Sequence, residues 1–347
     1  MIFEKSIKIG NKEINENSHT YIIAEAGVNH NGDIELAKKM IDEAVNLNVD
    51  AIKFQAFKTE GLILSSIEKA EYQKVTTGEN ETQFEMLKKL EVSKNKLKEL
   101  KEYSASKGVH FLVTPFDEES LEELEEIGLD AYKISSTDLT NLPFLRKIAL
   151  KEKPIILSTG MSYLCEVEEA LKEIYKINKK VIILQCTANY PVIETEVNLS
   201  VMNLYKEQFN ILVGFSDHTE GIGASPYAVA LGAKVIEKHY TLDKNLEGPD
   251  QSASLNPREF KALVSEIRKV EKYVGSRTKI PQVSELGTRK SLQKNLVARR
   301  EIREGEIFSD ENIVAKRTGG EGVSPMYSNQ VFGTLASKSY ELNEIIK

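Results

Sequence analysis

The chain has 347 residues, 41% apolar and 29% charged, the balance of an ordinary soluble globular protein with room for one large domain and a small one. Its net charge of −7 is spread along the chain, with no basic patch interleaved with aromatics, so a nucleic-acid partner is not expected. No apolar run is long enough to span a bilayer, Met1 to Lys5 lacks the apolar core of a signal peptide, and two cysteines, Cys165 and Cys186, give no disulfide framework, so a reducing cytoplasm is the expected compartment.

In chain order, residues 6–14 form two alternating runs about Gly10-Asn11, which predicts a small hairpin. A β–α rhythm then repeats eight times. The expected strands are 21–25, 51–55, 110–114, 131–135, 155–158, 181–186, and two that end in 214–219 and 235–240. A Gly/Asn-rich loop and a helix over about 34–47 follow the first strand. A long insertion, 56 to about 80, follows the second, with helical segments to 106. A helical segment at about 221–232 separates the last two strands. After a last helix at about 257–275 the texture changes. Residues 277–291 are polar and irregular and predict a linker; 292–347 predict a small β-rich domain, with a short helical piece starting at 309–312.

Apolar strands alternating with helices imply a parallel sheet covered by helices. Eight such units in about 260 residues fit a closed (β/α)8 TIM barrel, spanning 1–276, better than an open sheet. The strand ends agree. Glu25, Lys53 with Gln55, Thr114, Lys133 with Ser135, Ser158, Thr187, Ser216 with His218, and His239 all fall where the C-terminal mouth of a barrel carries its chemistry.

His218 and His239 end adjacent parallel strands, a geometry that suits a divalent metal. Two unrelated histidines satisfied by hydrogen bonds are the alternative. Lys53 and Lys133 suit a phosphate or carboxylate, or else one of them is a Schiff-base nucleophile. Glu25 is a general base or a ligand to a sugar hydroxyl, or a structural carboxylate bonded to the amides of 26–32. Asp250, in Gly248-Pro249-Asp250, is either part of a simple turn or a ligand above the metal, direct or through water. Cys186 is read as a strand residue rather than a nucleophile. A metal, an anion cradle and a base suggest carbon–carbon bond formation between a carbonyl compound and a phosphorylated or carboxylated partner. The residues alone do not name the substrates.

The motifs do narrow the choice. Ala24-Glu25-Ala26-Gly27-Val28-Asn29-His30-Asn31-Gly32, Lys53-Phe54-Gln55, Thr114-Pro115-Phe116-Asp117 and Leu157-Ser158-Thr159-Gly160-Met161 resemble the sialic acid synthase family. So do Cys186-Thr187-Ala188-Asn189-Tyr190-Pro191, Phe215-Ser216-Asp217-His218, Glu237-Lys238-His239 and the run from Gly248 to Leu255. They occur in family order over essentially the whole chain, and Val297-Ala298 with Lys316-Arg317 resemble the family's antifreeze-like (SAF) domain.

The resemblance implies a phosphoenolpyruvate-dependent synthase. It condenses that compound with an N-acetylated amino sugar in open-chain form, releasing phosphate by C–O cleavage. N-acetylmannosamine, giving N-acetylneuraminate, is the first expectation; a 2,4-diacetamido-trideoxy sugar, giving diacetyllegionaminate, is the alternative. By analogy His218 and His239 hold Mn2+ (or Mg2+), and Lys53, Thr114 and Lys133 hold the phosphoenolpyruvate carboxylate. Ser136, Ser158, Asn189 and Ser216 would contact its phosphate. Gln55 and Tyr190 join the substrate-binding set. Glu25 would bind the sugar or the attacking water, Asp250 would position the sugar or a metal-bound water, and Arg317 would reach the N-acetyl group from the partner subunit of a domain-swapped homodimer. Three positions depart from the commoner family pattern: Thr137-Asp138 where many relatives have Gly-Glu, Gln251 where a His is frequent, and Thr318 where a Pro is frequent.

Overall fold

The computed structural model describes residues 1–69 and 81–347. The last part of the insertion expected after the second strand, 70–80, lies outside the described residues. The chain divides into two compact units, Met1–Gly275 and Ser276–Lys347.

The first unit opens with an antiparallel hairpin, β1 (Ser6–Ile9) and β2 (Lys12–Asn15). Its turn needs Gly10: φ is +56°, and a Cβ would come within 2.8 Å of the His110 ring. Eight parallel strands follow: β3 (Tyr21–Gly27), β4 (Ala51–Ala56), β5 (His110–Pro115), β6 (Tyr132–Ile134), β7 (Ile155–Ser158), β8 (Val181–Cys186), β9 (Leu212–Asp217) and β10 (Val235–His239). Each pairs with the next, and β10 closes the barrel by pairing with β3. This is the (β/α)8 barrel that the eightfold rhythm predicts.

The helices of the outer ring are α1 (Ile34–Asn46), α2 (Thr59–Leu62), α3 (Gln83–Leu90), α4 (Lys94–Lys107), α5 (Glu118–Ile127), α6 (Leu142–Ala149), α7 (Leu164–Tyr175), α8 (Val201–Phe209), α9 (Ser225–Ala230) and α10 (Pro257–Val274). α1 shows why they form. Asp33 caps the N-terminus by accepting from the Glu35 and Leu36 amides, and Ala37, Met40, Ile41 and Ala44 recur at helical spacing on the buried face.

Strand pleating sorts the core into two layers. Ile22, Ala24, Ile52, Phe54, Ile155 and Leu157 face outward and pack under the helices. Tyr21, Ile23, Ala51, Leu112, Ala131, Ile156, Ile182, Leu184, Leu212 and Val235 share a separate interior cluster with Ile7, Ile9 and Ile14 of the hairpin. The lower barrel is therefore packed solid, and the hairpin seals its N-terminal end. Gly214 belongs to this interior, where a Cβ would come within 2.4 Å of the Val235 carbonyl and 2.5 Å of the Leu184 side chain.

Two elements of the barrel differ from expectation. The strand expected at 131–135 stops at Ile134, because the Ser135 side chain accepts from the Thr137 amide and starts a 3-10 turn, Ser136–Asp138. The helix expected at about 221–232 is only α9, because Gly221 and Gly223 hold positive φ and keep the segment before it in turns.

The second unit is small and β-rich. β11 (Lys294–Ala298) and β12 (Ile313–Arg317) pair antiparallel, over a core that includes Leu296, Ile302, Phe308, Ile313, Tyr340 and Ile346. The segment expected as an irregular linker contains a helix, α11 (Leu286–Leu292), entered from a 3-10 turn. The helical piece expected at 309–312 is a single turn instead: the Ser309 amide donates to the Asn312 side chain and the Ile313 amide to the Ser309 carbonyl, after which β12 begins.

Candidate active site

The inward face of each strand changes character near its C-terminal end. In steps of two along each strand, Tyr21 and Ile23 lead to Glu25, Ala51 to Lys53 and Gln55, Leu112 to Thr114, and Ala131 to Lys133. Likewise Ile156 is followed by Ser158, Leu184 by Cys186, and Val235 by Glu237 and His239. Because the pleat has period two, one phase carries both the packed interior and the polar floor above it. Above that floor is a cavity of about 560 Å³.

The floor is a network of buried charges. Lys53 Nζ lies 2.6 Å from Glu25 Oε2 and 3.7 Å from Glu237 Oε2, and donates to Thr114 Oγ1 at 3.2 Å. Lys133 Nζ lies 3.3 Å from Glu237 Oε1, which also accepts from Ser216 Oγ at 3.1 Å. Gln55 Nε2 donates to Glu25 Oε1 at 3.2 Å. Burial works against every charge here. It pushes Glu25 up, so that this carboxyl is poised to take or give a proton. On Glu237 burial is outweighed by Lys133 and Lys53, which hold it well down and ionised. On Lys53 burial is outweighed by Glu237 and Glu25, and its pKa rises; burial pulls Lys133 down. The Ser158 hydroxyl is buried without a hydrogen-bond partner.

The two histidines meet beside this network, with ring centroids 5.5 Å apart. His218 Nδ1 faces the Thr187 carbonyl at 2.8 Å, which fixes its proton there and leaves Nε2 as the free donor atom. His239 Nδ1 is buried with no hydrogen-bond partner, 3.8 Å from Asp250 Oδ2. Burial, with the charge of Lys53 adding to it, holds His239 well below the usual imidazole value and therefore neutral. Burial also pushes Asp250 up to about 6. An orphaned, neutral imidazole nitrogen beside a second imidazole of fixed tautomer fits a divalent cation. Among the described residues no cluster of three or more His, Cys, Asp or Glu surrounds the place, so substrate oxygens or water would complete the shell.

The NeuB family model matches residues 40–279. Over 331 residues the chain is 47% identical to the N,N'-diacetyllegionaminic acid synthase of Campylobacter jejuni, covering 94% of this chain and 99% of that protein. It belongs to the NeuB family. It is also 42% identical to the N,N'-diacetyllegionaminic acid synthase of Legionella pneumophila, over 91% of this chain and 90% of that one. The crystal structure of the N-acetylneuraminic acid (sialic acid) synthetase of Leptospira borgpetersenii, in complex with citrate, superposes with a TM-score of 0.73 at 37% identity, covering 84% of this chain and 98% of that one.

In this NeuB-family chain the cavity gathers Glu25, Lys53, Gln55, Thr114, Lys133, Ser136, Ser158, Tyr190, Ser216, His218, His239 and Asp250. The Tyr190 ring stands 4.2 Å from that of His218, centre to centre. Ser136 Oγ accepts from the Gly160 amide at 2.8 Å, tying two strand-end loops together. Asn189 is not brought in. Its amide donates to the Thr187 carbonyl, and this tight turn lines the cavity with Ala188 and Tyr190 while Asn189 stays exposed. Arg317 is the exposed last residue of β12 in the second unit.

The alternative reading of Glu25 as a carboxylate bonded to loop amides is not what forms; its side-chain partners are Lys53 and Gln55. Gln251 is buried outside the cavity lining. Its amide donates to the Asn29 carbonyl at 2.8 Å and its oxygen accepts from Thr241, so it ties the 248–255 loop to the 24–32 loop. Glu237 was missed as a site residue, although the period-two phase from Val235 to His239 marks it. Cys186 lies closer to the chemistry than a plain strand residue, with Sγ 3.8 Å from His218 Nδ1.

Proposed function

We propose that this chain is a phosphoenolpyruvate-dependent nonulosonic acid synthase whose sugar is a 2,4-diacetamido-trideoxy hexose rather than the N-acetylmannosamine first expected. The observation that carries the reaction class is the meeting of two buried lysines, Lys53 and Lys133, with a carboxylate of raised pKa and a pair of imidazoles at the mouth of one barrel. The preference for the diacetamido sugar is supported by the similarity to two diacetyllegionaminic acid synthases at 47% and 42% identity.

In this reading Lys53, Lys133 and Thr114 receive the carboxylate of phosphoenolpyruvate, and Ser136, Ser158 and Ser216 face its phosphate. C3 of phosphoenolpyruvate forms a bond to the aldehyde carbon of the open-chain sugar, whose oxygen takes a proton and becomes a hydroxyl. Water adds at C2 and gives up a proton. The resulting tetrahedral centre expels phosphate by breaking its C2–O bond, the C2 hydroxyl passes its proton to the departing phosphate, and the 2-keto acid is left. Glu25 is placed to move one of these protons, since burial raises its pKa toward neutrality. Asp250, also raised, orients the sugar or a water. His218 and His239 would hold Mn2+ or Mg2+, which supplies Lewis-acid polarisation of the sugar carbonyl when bound.

A domain-swapped homodimer, with Arg317 serving the sugar of the partner subunit, an antifreeze-like identity for the second unit, and residence in the cytoplasm belong to the same proposal. Family resemblance supports the first two. For the third, no described helix is long and apolar enough to cross a membrane.

The test is phosphate release from phosphoenolpyruvate with Mn2+, with the product identified by mass. Release with the diacetamido sugar at a higher kcat/KM than with N-acetylmannosamine is the expected result. Arg317→Ala should raise the KM for the sugar and leave that for phosphoenolpyruvate unchanged; equal loss of both would remove Arg317 from the sugar site.

A further inference from the structure

The cavity has two kinds of wall. Its floor is the charged network at the strand ends. Over the ends of β3, β4 and β5 stands a largely apolar wall, in which Phe57, Leu62, Ile63, Met86, Leu87 and Phe116 line the cavity, with Gln83 as its polar member. Phe57 and Met86 are buried in a cluster of their own with Val28 and Leu90, and Leu62, Leu87 and Phe116 pack against it. The Phe57 and Phe116 rings meet edge to face at 6.5 Å. This cluster is separate from the barrel core and comes mostly from the loop and helices that follow β4, with Val28 from just after β3 and Phe116 from just after β5. Among the described residues lining the cavity, the basic ones are Lys53, Lys133, His218 and His239, all on the floor side.

Phosphoenolpyruvate is charged at both ends and has no use for such a wall. The sugar reacts at its aldehyde carbon, which must lie at the floor, so its far end extends to the remaining surface. A hydroxyl or phosphate pressed against the carbon of Leu62 and Leu87, away from Gln83, would lose its water without gaining a partner. A methyl group would bury favourably.

We infer that the wall built from Phe57, Leu62, Met86 and Leu87 is the specificity-determining surface of this enzyme, seating the deoxy methyl and the distal acetamido methyl of the sugar and disfavouring a hydroxylated or phosphorylated end. The inference rests on the synthase reading above and adds to it the residues that choose the sugar. An apolar surface discriminates against one added hydroxyl by at most about a hundredfold, and N-acetylmannosamine also lacks the distal acetamido methyl, so the expected preference for the trideoxy sugar is at least roughly tenfold in kcat/KM.

The experiment compares that ratio in the full chain with those in Leu87→Gln, Leu62→Gln and Leu87→Met. Both leucines are only partly buried, and glutamine is a good helix former at position 87 of α3, so the fold should tolerate the change. The glutamine variants should bring the ratio to within about threefold of unity, through the KM for the trideoxy sugar, while the KM for phosphoenolpyruvate stays put. Leu87→Met, which keeps the carbon surface, should retain the preference. A ratio unchanged in both glutamine variants, or a parent enzyme that prefers N-acetylmannosamine, overturns the wall as the selector and leaves the synthase standing. No phosphate release with either sugar overturns the synthase reading and the inference with it.

Discussion

Glu237 bridges the two lysines of the floor: its Oε1 lies 3.3 Å from Lys133 Nζ and its Oε2 3.7 Å from Lys53 Nζ. All three side chains are buried, so the lysines carry their counter-charge with them instead of borrowing it from water. Glu237→Gln leaves two buried ammonium groups with Glu25 as their remaining carboxylate partner. Removing one member of such a pair costs about 3–5 kcal/mol. A substrate anion would restore much of it. We expect Glu237→Gln to melt well below the parent and to be stabilised by phosphoenolpyruvate by a larger shift in Tm than the parent shows. Equal shifts would mean that the lysines do not face the ligand.

A second buried pair lies on the outward face of the same strands. Lys238 Nζ is 3.2 Å from Asp217 Oδ1 and donates to the Thr219 carbonyl at 2.5 Å, while Asp217 accepts from the amides and hydroxyls of Thr219 and Ser225. This knot holds the turn that carries His218. Lys238→Met should destabilise the protein by about 3–5 kcal/mol and raise the Mn2+ concentration needed for half-maximal activity. In a double-mutant cycle with Asp217→Asn, measured by denaturant unfolding, the double change should cost clearly less than the sum of the singles. Additive costs would show that the two side chains do not stabilise each other.

His30 sets a pH dependence of stability that is separate from catalysis. Burial lowers its pKa to about 4, and its Nδ1 accepts from the Gly32 amide, so it is folded away as the neutral ring. In the unfolded chain it titrates near 6.5, so the unfolded state takes up the proton first. Stability from this group is complete above about pH 6.5 and is lost as the pH falls toward 4, by up to about 3 kcal/mol. The denaturation midpoint of the parent should therefore drop between pH 6.5 and 5 more steeply than that of His30→Gln. Parallel curves would show that His30 is protonated without penalty.

Most of the barrel was legible because strand pleating writes a period of two into the sequence, and each strand runs from apolar to polar along one phase. Lys53 and Lys133 stand out for that reason, as ammonium groups flanked by Ile52, Phe54, Tyr132 and Ile134. Glu237 obeys the same rule, but a carboxylate between Ile236 and Lys238 reads locally as half of a surface pair. Asn189 was assigned by its place in a motif, and a turn closed on the Thr187 carbonyl leaves it exposed. Residue type could not reveal that Gln251 spends its amide on the Asn29 carbonyl, since the partners are 222 positions apart in the chain. The wall of Leu62 and Leu87 was equally hidden, because apolar residues in an insertion look like any small core until the cavity beside them is seen.

Isotope transfer distinguishes condensation with C–O cleavage from every other fate of phosphoenolpyruvate. Phosphoenolpyruvate labelled with 18O at the oxygen bridging C2 and phosphorus would be turned over with the diacetamido sugar and Mn2+, and both products analysed by mass. The label should leave in the phosphate, and the keto oxygen of the sugar acid should come from water. Label retained in the sugar acid, or consumption of phosphoenolpyruvate with no new carbon–carbon bond, would contradict condensation with C–O cleavage.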